Sequence, residues 1–134
     1  MIPSPASDST AGPGLILVVV NATATNPGPF VTALVYAQTA RALDQTVEIH
    51  LTGESVRLMS PGLAEALITD PDTKTTLLDH IHRAVELEVR IYACSMAVRT
   101  YHKSQTFIKE LTRQAGTTAV IGKMLTENAR VLTF

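Results

Sequence analysis

The run Leu15-Ile-Leu-Val-Val-Val20 constrains the fold more than any other stretch of the chain. It is six residues long, wholly apolar and rich in β-branched side chains, and it is framed by Gly12-Pro13-Gly14 and by the turn-forming segment NATATNPGP over 21–29. Branched side chains suit a pleated strand. A strand that is apolar on both faces must be covered on both, which is the habit of parallel sheets flanked by helices. The run falls far short of the roughly twenty residues a membrane span needs.

The rest of the chain alternates to match. A helix is predicted from 27–30 to about Leu43, with proline suited to its first turn. TVEIHL over 46–51 alternates as a second strand, closed by Thr52-Gly53-Glu54, and a loop over 56–59 and a short helix over 62–68 follow. After the break Asp70-Pro71-Asp72, residues 74–87 place Leu77, Leu78, Ile81, Ala84 and Val85 on one helical face. EVRIYA over 88–93 is the third strand, and Cys94 to about Tyr101 reads as a turn and helix. Phe107 to Gln114 is expected to be helical, stopping at Gly116. Thr118–Ile121 is expected as the fourth strand, Met124–Ala129 as a helical turn, and RVLTF over 130–134 as the last strand. This order predicts an α/β fold, a mostly parallel sheet with helices on both faces.

A chain of 134 residues with 46% apolar and 17% charged residues has enough material for one packed core without disulfides or metals. Aromatics are only 4% and Trp is absent, so the core rests on Val, Leu, Ile, Ala and Met, and base-stacking platforms are disfavoured. A net charge of −1 lacks the basic footprint of a nucleic-acid binder, and no basic amphipathic stretch points to a membrane surface. The single cysteine excludes an internal disulfide, a CxxC pair and an all-cysteine zinc site within one chain. Residues 1–13 are rich in Pro, Ser, Thr and Gly and lack an apolar signal core. They are expected to form a flexible N-terminal tail ahead of a domain over 14–134, and the protein is expected in the cytoplasm.

In open parallel sheets, ligands sit beyond the carboxyl ends of the strands. The residues placed there by the predicted elements are Asn21, Thr23 and Thr25; Thr52, Gly53 and Glu54; Cys94, Ser95 and Met96; and Gly122 and Lys123. Only Cys94 is a strong nucleophile. The amides of Ser95, Met96 and Ala97 would open the following helix and present unpaired N–H groups to the sulfur, favouring the thiolate. The alternative is a small buried core residue, the usual fate of a free cysteine.

The four histidines offer less. His80 and His82 are two apart on a helix and do not share a face, and His50 lies inside a strand. No metal site is expected. His102, beside Lys103, is a candidate pocket residue if it reaches the thiolate, and a solvated helix end otherwise. The 21–29 loop lacks the GxxxxGK[ST] and GxGxxG patterns, and Pro27 and Pro29 remove amides that a phosphate cradle would use. No cofactor is called for. A cysteine protease is disfavoured because no base and orienting partner can be assigned from sequence.

The segment Val89-Arg-Ile-Tyr-Ala-Cys94-Ser-Met-Ala97 resembles the cysteine segment of the DsrE/DsrF-like (YchN-like) family, an apolar strand ending in a single Cys before a helix. The Leu15–Val20 strand with its loop and long Ala-rich helix, the stretch HLTGESV over 50–56, and the end from Gly122-Lys-Met124 to Phe134 are similar to the family's other segments in the same order, over about 14–134. The resemblance implies a three-layer α/β/α sandwich with a mostly parallel five-stranded sheet and homo-oligomers, trimers or hexamers. It implies cytoplasmic sulfur transfer with a persulfide on the cysteine, here Cys94, and rhodanese-like and TusA-like carrier proteins as partners. Relatives with oxidative roles have two adjacent cysteines, whereas Ser95 stands at the second position here. Two other readings stand beside the carrier: a non-catalytic oligomeric scaffold of a sulfur pathway, and a small-molecule or nucleotide binder at the strand ends, with Asn21, Thr23, Glu54 and His102 as pocket residues.

Overall fold

A computed structural model of the protein describes residues 13–134; all but the last residue of the expected tail lies outside them. The Leu15 run forms β1 (Leu15–Val19), and Pro29 sits in the first turn of α1 (Gly28–Ala42). Next come β2 (Val47–Leu51), a 3₁₀ segment (Gly53–Met59), α2 (Leu63–Ala66), and a small antiparallel hairpin of β3 (Ile68–Asp70) and β4 (Thr75–Thr76) that sequence periodicity does not reveal. After α3 (Leu77–Glu86), β5 (Arg90–Cys94) leads directly into α4 (Ser95–Tyr101), and β6 (Arg113–Ala115), α5 (Thr117–Thr126) and β7 (Arg130–Thr133) complete the chain.

The main sheet has five strands in the order β6-β5-β2-β1-β7, all parallel. Side chains alternate between its faces. Leu17, Val19, Ile49, Leu51, Ile91 and Ala93 point to one face and pack with Phe30, Ala33, Leu34 and Ala37 of α1 and Leu77, Ile81 and Ala84 of α3, all buried. The opposite face carries Ile16, Val18, Glu48, His50 and Tyr92, with Cys94 at its rim, and α5 lies over it. Helices on both sides make this a three-layer α/β/α sandwich. Among the described residues, no helix is long and apolar enough to cross a membrane.

The structure corrects two expectations. Residues 118–121 are not a strand: they lie within α5, because Gly116 is extended (φ −78°, ψ 158°) and the chain turns helical immediately after it. Gly116 therefore precedes a helix instead of closing one. The expected helix over 107–114 is a loop leading into β6. That strand is short and polar because it is an edge, with only β5 beside it and much of its surface in solvent. Hydrophobic runs mark central strands well, and edge strands poorly.

Candidate functional site

β5 is shielded between β2 and β6 until its last residue, where the chain must leave the sheet. Cys94 still has extended geometry (φ −63°, ψ 122°), and Ser95 begins α4. That bend leaves the thiol half-buried. Burial pushes the Cys94 thiol up, since a thiolate is poorly solvated there. The Ala97 and Met96 N–H groups and the Thr52 and Thr117 hydroxyls, grouped around the sulfur, favour its anion and outweigh that effect. The net result is a thiol held below the ordinary cysteine range, with the reactive anion favoured.

The sulfur lines a cavity of about 160 Å³ at the carboxyl ends of the strands. Val18, His50, Thr52 and Cys94 from the strand ends and Thr117 and Ile121 of α5 are among the residues that line it. The lining is mostly apolar, so the few polar atoms facing inward act in a lower dielectric than water and are strengthened.

Below the cavity lies a charged cluster within the sheet. Glu48 and His50 are two residues apart on β2 and therefore share a face; both are buried. His50 Nε2 lies 2.9 Å from Glu48 Oε1. Lys123 Nζ of α5 reaches over the sheet and donates to both Glu48 oxygens, at 3.1 and 3.0 Å. Burial pushes the Glu48 carboxyl up, but the bonds from His50 and Lys123 more than offset it and hold the group below the usual carboxylate range. The His50 ring is stacked on Tyr92 of β5 at 4.8 Å, and Lys123 Nζ stands 4.8 Å over the same Tyr92 ring.

Of the residues proposed from sequence, the Met96 and Ala97 amides favour the Cys94 anion, while Ser95 is half-buried beside it in sequence and has no such effect. Thr52, picked out as a strand-end residue, contributes its hydroxyl. Asn21, Thr23, Glu54 and His102 do not line the cavity. Asn21 donates its backbone N–H to the Phe134 carbonyl, and Thr23 closes a small turn through the Asn26 N–H. Glu54 is exposed on the 3₁₀ segment. His102 ends α4, its Nε2 2.6 Å from the Thr106 carbonyl and its ring 4.9 Å from Phe107. Thr117, His50, Glu48 and the role of Lys123 were not anticipated. Their signal is the alternation in VEIHL: two polar side chains on one face of a strand that runs through the middle of a parallel sheet need partners inside the protein. Among the described residues, no three His, Cys, Asp or Glu side chains gather into a metal site.

Among curated proteins, no sequence matches this chain. Solved structures share its fold, two of them as follows. The YchN protein of E. coli superposes with a TM-score of 0.71 at 14% identity, covering 91% of this chain and 99% of that one. A conserved protein of unknown function from Bacteroides thetaiotaomicron, BT1422, superposes with a TM-score of 0.58 at 16% identity, covering 89% and 94%. At such identities the likeness is one of architecture. The sequence profile of the DsrE/DsrF-like family, however, matches residues 15–134, from the first strand through the cysteine to the last, and the chain belongs to that family.

Proposed function

We propose that the protein is a sulfur-transfer protein that carries sulfur as a persulfide on Cys94 between donor and acceptor proteins. The observation that carries this reading is a single thiol favoured as its anion by four surrounding N–H and O–H groups, at the wall of a cavity lined mostly by apolar side chains. In loading, the Cys94 thiolate attacks the outer sulfur of a donor persulfide. A bond forms from Cys94 Sγ to that sulfur as the donor's S–S bond breaks, and the donor leaves as a thiolate. Sulfur moves without net oxidation or reduction.

The same four groups that favour the thiolate suit it as the leaving group when sulfur passes on. With one cysteine in the chain, no resolving thiol is available internally, so acceptors must bring their own. This fits rhodanese-like donors and TusA-like carriers working with a cytoplasmic homo-oligomer, a trimer or hexamer. The test is intact mass after incubation with inorganic polysulfide or a persulfidated donor. A gain of one sulfur that vanishes in Cys94→Ala is expected; wild-type protein that gains none while its thiol alkylates freely overturns the carrier reading in favour of a scaffold.

A further inference from the structure

His50 is not among the groups that favour the Cys94 anion, which are Ala97, Thr52, Met96 and Thr117. Yet both residues line the same cavity. Their positions follow from register. His50 pairs with Tyr92, and Cys94 lies two residues further along β5 on the same face. Strand rise and spacing put such diagonal neighbours roughly 8 Å apart at their Cα atoms. That leaves room for a substrate atom between the ring and the sulfur.

The ring is held for one task. An ionised Glu48 can only accept, so Nε2 carries the hydrogen of their 2.9 Å bond and Nδ1 carries the lone pair. Nδ1 has no hydrogen-bond partner among the described residues. The stack on Tyr92 fixes the ring plane. The charged groups around the ring are Glu48 on its own strand and Lys123 on α5; Arg113 of β6 lies 5.8 Å from the Tyr92 centroid. Lys123 and Glu48 neutralise each other, so a proton taken up by His50 is balanced by the Cys94 thiolate across the cavity. This arrangement is a base with an orienting carboxylate, facing the same cavity as a nucleophile.

We propose that His50 handles the proton in sulfur transfer, with Glu48 and Lys123 as positioning residues, and that the acceptors are therefore thiols that arrive protonated; this rests on the carrier reading above. In unloading, Nδ1 takes the proton of the acceptor thiol. The acceptor sulfur attacks the outer sulfur of the Cys94 persulfide. One S–S bond forms to the acceptor, the bond to Cys94 Sγ breaks, and its electron pair returns to Sγ as the thiolate. The products are an acceptor persulfide, the Cys94 anion and a His50 imidazolium. Loading runs the same path in reverse, the imidazolium returning its proton to the departing donor thiolate. No oxidant or reductant is consumed.

The experiment follows single-turnover transfer from polysulfide-loaded protein at neutral pH to two small acceptors, an alkyl thiol that is mostly protonated and a nitro-substituted aryl thiol that is already ionised. His50→Gln keeps a donor toward Glu48 but removes the base. It is expected to slow the alkyl thiol by about 100-fold, the usual scale of general base catalysis, and the aryl thiol only slightly. Glu48→Gln, which leaves the imidazole in place with its tautomer unfixed, is expected to show the same selectivity at smaller size and serves if His50→Gln does not fold. Equal slowing of both acceptors, or of neither, overturns the role of His50 while leaving the carrier intact. Wild-type protein that accepts no sulfur overturns the carrier reading itself, and the role of His50 falls with it.

Discussion

Four N–H and O–H groups favour the Cys94 anion, and two of them are threonine hydroxyls that can be removed without disturbing the backbone. Thr52→Val and Thr117→Val each take away a group that favours the anion while burial still opposes it. Both variants are expected to raise the pH at which the thiol ionises and to cut alkylation by iodoacetamide at neutral pH severalfold, since a bond to a charged group is worth about 1.5 kcal/mol. In the wild-type protein the alkylation rate plotted against pH is expected to rise with a midpoint below that of a free cysteine. Cys94→Ser is expected to change stability by less than about 1 kcal/mol, because the side chain is only half-buried; loss of folding in that variant would mark the thiol as core.

Glu48 supports a second prediction at this scale. Its carboxyl ionises more readily in the folded chain than in the unfolded one, so its contribution is complete above the ordinary glutamate range and is lost as pH falls through the lower, folded value. Glu48→Gln leaves Lys123 and His50 short of an acceptor and is expected to cost about 1–3 kcal/mol in urea melts at neutral pH, the gap to wild type narrowing in acid.

Among the secondary-structure elements, α1 was legible in the sequence from the proline at its start, and α3 from its apolar spacing. α3 begins with a capping box: the Asp79 N–H donates to Thr76 Oγ1 at 3.2 Å, and the Thr76 N–H donates to Asp79 Oδ2 at 2.8 Å. Just past its C-cap Leu87, Glu88 sits at φ +68° with the Val89 N–H bonded to the Ala84 carbonyl, a left-handed position that suits glycine. Opposite substitutions at its two ends should thus have opposite signs. Thr76→Ala is expected to lower stability by about 1 kcal/mol, and Glu88→Gly to raise it by about 0.5–1 kcal/mol, both read from thermal melts. The segment 107–121 was not legible, for a physical reason. Thr118, Val120 and Ile121 have the side chains of a strand, yet they form the exposed roofing helix, while the true strand is the polar Arg113-Gln114-Ala115 at the edge. The cysteine and its helix were visible because a nucleophile after an apolar run is a local pattern; the histidine beneath it depends on pairing between strands far apart in sequence.

For the whole molecule, the two faces of the sheet are covered unequally. One carries α1 and α3 with their buried apolar rows; the other carries α5, none of whose residues is fully buried. Ile121 and Leu125 of that helix are 46% and 78% exposed. A homo-oligomer that covers this side is the expected state, and sedimentation should give a multiple of the chain mass. Leu125→Glu is expected to dissociate it without unfolding the protomer; a wild-type monomer would contradict the expectation.

The groups that make the Cys94 sulfur acidic come from three stretches of chain that meet only in the finished fold: the residue after β2, the first turn of α4 and the first residue of α5. An incompletely assembled copy therefore carries an ordinary, sluggish cysteine. Damaged molecules disarm themselves, and titrating a single atom reports whether the entire architecture is intact.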